Sequence, residues 1–156
     1  MSKISIISAK TKEDIDSARQ LFLEYANSLN FDLCFQGFDE ELKNLPGDYS
    51  PPDGELLLAY SDDKLAGCAA LRKLEKGLGE MKRLFLRIEF RGLGIGRQLA
   101  VRIIEDARKI GYEKIRLDTL PSMKEAIQLY KNLGFKEILP YRYNPIEGVC
   151  YMELAI

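Results

Sequence analysis

The sequence predicts one α/β domain in which helices flank a mixed sheet, and three observations carry that prediction. Apolar spacing alternates between strand-like and helix-like runs in the order β α α β β β α β α β β. The second, third and fourth strands are joined by SDDK and EKG, turns short enough for an antiparallel meander. From Leu78 the chain then runs strand, helix, strand, which implies a parallel pair with a right-handed crossover. At 156 residues the whole span 1–156 forms a single domain able to bury a core.

Each element has its own signal. Lys3 to Ser8 is a short strand with Ile4, Ile6 and Ile7 as its apolar content. Thr11 caps the first helix, with Asp14 in an approximate capping-box position. Ile15, Ala18, Leu21, Phe22, Tyr25 and Leu29 then recur at helical spacing to about Asn30. The connection FDLCFQG leads to a brief acidic helix from Phe38 to Leu45, and PGDYSPPDG reads as loop. Glu55–Tyr60, Leu65–Arg72 and Leu78–Ile88 are strands. A helix from Gly94 places Ile95, Leu99, Ile103, Ala107 and Ile110 on one face, and Gly111 ends it. Lys114–Asp118 is the next strand. Ser122 and Glu125 form the capping box of a last helix whose face is Ala126, Leu129, Tyr130 and Leu133. Phe135–Ile138 and Gly148–Leu154 close the sheet around LPYRYNPIEG.

Composition narrows the function classes. Twenty-three basic and twenty-four acidic side chains leave a net charge of −1, which argues against a nucleic-acid binder. The charge is unevenly spread: nine acids and one base lie between Asp32 and Asp63, eight bases and three acids between Arg72 and Arg97. The second stretch suits an anionic ligand, and the first could suit a cation. Cys34, Cys68 and Cys150 are odd in number and far apart, so reduced thiols are expected rather than a disulfide framework or metal cluster. The absence of histidine removes Ser–His and Cys–His nucleophile pairs and makes a zinc site improbable. No run approaches membrane-spanning length, and MSKISIISAK lacks the apolar core of a signal peptide. The expectation is a cytoplasmic protein with no membrane partner.

Chemistry concentrates in RGLGIGR, residues 91–97. Gly92, Gly94 and Gly96 exceed what a turn needs, and glycine lets a ligand approach the backbone closely. The unpaired N–H groups and positive dipole at the following helix N-terminus form a seat for an anion, most naturally a phosphate. Arg91 and Arg97 add charge and forked donors. A P-loop would need Gly-Lys-Ser/Thr, but Arg97 and Gln98 follow Gly96. A dinucleotide-binding turn would need glycine at position 97, although Asp118 does close the next strand where a ribose-binding acid could sit.

The surviving pattern, Arg91-x-x-Gly94-x-Gly96, resembles the acyl-CoA-binding signature of the GNAT superfamily of N-acetyltransferases. AIQLYKNLGF agrees, with Ala126, Tyr130 and Gly134-Phe135 placed as in that family's later helix. The tight match covers Glu80 to Phe135, and the element order resembles the family throughout. The resemblance implies a mostly antiparallel sheet with a splayed parallel strand pair. It implies acetyl-CoA as co-substrate, no metal, and transfer to a primary amine by direct attack in a ternary complex. Leu84, Phe85 and Leu86 would pair with the pantetheine arm, and Gly92-Leu93-Gly94-Ile95-Gly96-Arg97 would take the pyrophosphate. Tyr130 would protonate the departing thiolate, and Glu80 matches where one branch keeps its general base. Ile88 departs from a frequent proline, and Met123 from a frequent asparagine near the cofactor.

Amide formation needs a neutral amine, and one with pKa near 10.4 is neutral only about once in 2,500 molecules at pH 7. Glu80 helps if burial raises its pKa toward the working pH; a strand-end charge paired with Lys82 or Arg83 is the other reading. Tyr130 also falls on the apolar stripe of its helix, so a core role stays open. The acids Asp32, Asp39, Glu40 and Glu41, opposite Tyr141, Arg142 and Tyr143, suggest a cationic acceptor site, although a solvated helix face explains them too. The acceptor is a small-molecule or peptide amine, and monomer and homodimer are both open. A non-catalytic acyl-CoA-binding module and a dinucleotide-binding oxidoreductase are the alternatives.

Overall fold

A computed structural model describes residues 3–29, 37–144 and 146–156. Asp32, Cys34 and most of FDLCFQG lie outside the described residues. The strands are β1 (Ile4–Ser8), β2 (Glu55–Ser61), β3 (Lys64–Glu75), β4 (Leu78–Leu86), β5 (Lys114–Thr119), β6 (Lys136–Ile138) and β7 (Cys150–Ala155). The helices are α1 (Lys12–Ser28), α2 (Phe38–Asn44), α3 (Ile95–Ile110) and α4 (Lys124–Asn132). The strands form one seven-stranded sheet in the order β1-β2-β3-β4-β5-β7-β6. Every neighbouring pair is antiparallel except β4–β5. The predicted order and mixed sheet are therefore observed.

Strand alternation sends two apolar sets to opposite faces. Leu57, Leu71, Met81, Ile115 and Leu117 pack with Ile95, Leu99, Ile103 and Ala107 of α3. Leu56, Leu58, Cys68 and Ala70 pack with Ala18, Leu21 and Phe22 of α1 and with Phe38 of α2. The predicted α3 face is fully buried at Ile95, Leu99, Ile103 and Ala107, each large side chain contributing about 1.5–3 kcal/mol. Gly111, at φ 110°, ends that helix as expected. The Thr11–Asp14 capping box forms, and the β2–β3 turn places Asp62 and Asp63 at positive φ, as a tight hairpin requires.

Beyond shifts of one to three residues at the ends of β2, β3, β5, β6 and β7, three features differ from expectation. β4 stops at Leu86, because Arg87 N–H makes a last bond to the Ala66 carbonyl and Ile88–Phe90 then winds into a 3₁₀ turn. No capping box opens α4: Met123 occupies the cap position without a side-chain bond, since a turn from Leu120 to Met123 moves Ser122 outside the helix. Within the predicted loop, Gly47–Tyr49 forms a 3₁₀ turn that buries Tyr49 under the α1 face.

Two irregularities in β4 position the site. The β4–β5 pairing covers only Leu78–Glu80 against Lys114–Arg116. Beyond it β4 continues along β3 to Leu86, while β5 continues along β7 to Thr119, so the two halves of the sheet part. β4 also carries a bulge: its register against β3 shifts between Lys82 and Phe85, and Arg83 sits at φ 59°.

Candidate active site

The parting of β4 and β5 opens a cleft of about 60 Å³. Met81, Lys82, Arg83 and Leu84 form one wall, and Leu117, Asp118 and Thr119 the other. Tyr25 of α1 closes one side, and Met123, Ala126 and Tyr130 at α4 close the opposite side. Of the three predicted β4 residues, Leu84 reaches the cleft. Phe85 turns to the α1 face, where its ring meets Tyr25 edge-on at 5.8 Å. Leu86 pairs with Gly67, and its carbonyl accepts a bond from Arg91 Nε at 3.2 Å.

The glycine turn explains itself position by position. Gly92 and Gly94 both lie at φ 80°, a conformation that L side chains avoid, and a Cβ at either would meet nothing within 4 Å. Gly96 has no such requirement, and its Cβ would stand 3.4 Å from Leu86 Cδ1, an ordinary contact. The turn itself therefore needs two glycines, and the third keeps the first turn of α3 bare. Gly94 caps that helix without a side-chain bond, and the first turn holds no acid. Its early N–H groups and dipole are left for an anion, beside the exposed Arg91 and Arg97. Leu93 is exposed, and Ile95 is buried under α3 as core.

Tyr130 is only 6% exposed and packs edge-on against Phe135 at 5.7 Å, so it is a core ring as well as a cleft residue. Burial, reinforced by Tyr25 and Asp118, pushes its phenol pKa up. The phenol therefore keeps its proton across the physiological range, as a proton donor must.

Glu80 has no exposed surface and does not line the cleft. Its Oε1 accepts from Arg72 Nε at 2.9 Å, and its Oε2 accepts from the Tyr141 hydroxyl at 2.6 Å and from Arg142 Nη2. Burial alone would raise its pKa, but Lys82, Arg142, the Tyr141 hydrogen bond and Arg72 outweigh it and hold the carboxyl below its ordinary value. The upward shift that would favour a general base is not found here, because burial comes with two guanidinium partners. Arg83 is not Glu80's partner either. It forms a two-bond fork with Glu41, both bonds at 2.9 Å, and stacks over Phe38 at 5.2 Å.

The acidic wall expected for a cationic acceptor is largely committed elsewhere. Glu41 is taken by Arg83, and Glu40 faces Lys43 at 3.9 Å. Tyr141 and Arg142 are turned inward to Glu80, whereas Tyr143 stands 82% exposed. Lys82, read from the sequence only as a possible charge partner of Glu80, and Asp118, read only as a possible ribose-binding acid, are cleft residues. The available signal was a lysine placed between Met81 and Leu84 in an otherwise buried strand.

The acetyltransferase (GNAT) family matches residues 16–135 of this chain. The chain belongs to that family. It is 43% identical to an N-acetyltransferase of Schizosaccharomyces pombe, itself named as uncharacterised, across 99% of this chain and 96% of that protein. An acetyltransferase from Streptococcus agalactiae superposes with a TM-score of 0.81 at 21% identity, covering 98% of each chain. A Bacillus subtilis acetyltransferase solved in complex with CoA superposes with a TM-score of 0.71 at 23% identity, covering 99% of each. At such identities the structural likeness speaks to the fold. As a GNAT member the protein is an acyltransferase of the N-acetyltransferase type. Among the described residues no helix is long and apolar enough to cross a membrane.

Proposed function

We propose that this GNAT protein transfers an acetyl group from acetyl-CoA to a primary amine by direct attack in a ternary complex. The observation that carries the reading is the β4–β5 parting: it opens a cleft lined by Leu84 of β4 and by Tyr130 of α4. The residues present fit CoA. The α3 N-terminus, with Gly94, Gly96, Arg91 and Arg97, suits the pyrophosphate, as Gly92, Leu93 and Ile95 of the same turn do through their backbone. The edge of β4 facing β5 lacks a ladder partner beyond Glu80 and suits an amide-bearing arm at Leu84–Leu86. The CoA complex of the B. subtilis relative supports the same ligand.

Acetyl-CoA supplies the acyl group as a thioester. Tyr130 holds the proton that the leaving sulfur needs, and its raised pKa keeps that proton in place until charge develops. Glu80, saturated with donors and held ionised, is a weak base, so it acts as the fixed charge that orders Tyr141 and Arg142 at the acceptor end. Direct attack is supported because no cysteine among the described residues is placed as an acyl-accepting nucleophile. Burial pushes the Cys68 thiol pKa up and its Sγ donates to the Arg83 carbonyl, and Cys150 lies on β7 outside the cleft lining.

Thermal unfolding with acetyl-CoA, free CoA and NAD(P) in parallel tests the cofactor. A ligand at 100 times its Kd adds about 2.7 kcal/mol, a shift of several degrees. Acetyl-CoA and CoA are expected to raise the melting temperature; a shift with NAD(P) alone overturns the reading. Gly96→Ala is the companion variant. It is expected to hold or slightly raise the melting temperature, since alanine is favoured over glycine in helices by about 0.5–1 kcal/mol. It should nevertheless weaken CoA by about tenfold or more, read by calorimetry, if the bare helix turn is what receives the ligand.

A further inference from the structure

Strand alternation sorts the cleft residues by face. Met81 and Leu117 belong to the α3 core, so Lys82 and Asp118, their neighbours in sequence, project to the α1 face, where Tyr25 lies. The charges on that face nearly all have partners among the described residues. Glu80 is matched by Arg72 and Arg142, and Arg83 by Glu41. Two atoms are left over. Lys82 is 7% exposed and lines the cleft, and its ammonium, which faces Glu80 and Asp118, makes no side-chain hydrogen bond or ion pair within 4 Å to a described residue. Asp118 Oδ2 is buried with no hydrogen-bond partner, and its nearest cation, Arg142 Nη1, stands 3.9 Å away.

A largely buried ammonium at the cleft wall without a close acceptor and a buried carboxylate oxygen without a donor are each costly, and they face one cleft. One small molecule carrying the opposite groups side by side satisfies both. Resting on the acetyltransferase reading above, we infer that the acceptor is a free amino acid: Lys82 binds its carboxylate, and Asp118 accepts an N–H from the amine to be acylated. The cleft volume of about 60 Å³ is several times the ~10–15 Å³ that seats one water, enough for the polar head of such a molecule. Burial and the Arg83 guanidinium push the Lys82 pKa down to about 8, with Glu80 and Asp118 opposing, so the site as it stands wants an anion. This replaces the cationic wall expected from the acidic stretch, since those acids are largely neutralised by their own partners.

The test compares α-amino acids bearing small, apolar, acidic and basic side chains with the carboxamide of each, using acetyl-CoA and the unmodified protein. The acids are expected to exceed their amides in kcat/KM by about 10- to 100-fold, the size of a charge-assisted bond in a buried site. Lys82→Met should bring that ratio close to one. Asp118→Asn should raise KM for acids and amides alike, leaving the ratio in place. Amides turned over as well as acids, or turnover of peptides and simple amines alone, overturns the inference while the acetyltransferase reading stands. Absence of any acetyl-CoA shift in the unmodified protein overturns both. If Lys82→Met fails to fold, the acid-to-amide comparison on the unmodified protein still decides.

Discussion

Replacing Tyr130 with phenylalanine is expected to lower kcat by about 10²-fold or more, the usual contribution of a positioned proton donor. The melting temperature and CoA affinity should stay close to those of the parent. The ring carries the structural role, packing against Phe135 at 5.7 Å, and phenylalanine preserves it. The hydroxyl makes no hydrogen bond to a described residue, so its removal strands no partner. Single-turnover kinetics beside CoA calorimetry measures both halves. Parent-like turnover in the variant would remove the phenol from the mechanism and leave Tyr130 as core alone.

Glu80→Gln should be the most destabilising substitution of similar shape. It leaves two inward-facing guanidinium groups, Arg72 and Arg142, without the charge that gathers them. Breaking a buried pair from one side costs about 3 kcal/mol or more, or roughly 6–12 °C for a domain of this size. The pH dependence has a definite sign. The folded pKa lies below the ordinary 4.5, so the contribution is fully present above that value and is lost as pH falls through the folded one. The gap between parent and variant is therefore widest at neutral pH and closes in acid. Denaturant unfolding at pH 7 and pH 4 measures it, and an equal gap at both would show that Glu80 acts by packing rather than charge.

What the sequence made legible follows the range of the forces involved. The α3 stripe could be read because its period, its glycine ends and its burial all arise within one helix. The element order could be read because the turns are short. The end of β4 could not, since it depends on Ala66 of a neighbouring strand taking the last N–H. Ser122 looked like a cap because the pattern is local, but the Leu120 carbonyl claimed Met123 first. The site divides the same way. Gly92 and Gly94 were visible as backbone requirements, and the Tyr130 helix was visible as a motif. Glu80's state was not, because Arg142 lies 62 residues away along the chain. Lys82 looked like half of a surface pair until the fold removed its water.

The parting of β4 from β5 leaves an unpaired strand edge in the middle of a sheet rather than at its margin. Such an edge invites pairing, and here Tyr25 and Tyr130 line the cleft beside it. In the proposed reading the co-substrate's arm lies along the Leu84–Leu86 end of that edge, making the thioester a removable rung of the fold. Since a ligand stabilises what it binds in proportion to RT ln(1 + [L]/Kd), the protein's resistance to unfolding and proteolysis would rise and fall with the acyl-CoA supply. Its lifetime would then be longest when its reaction has most to work with.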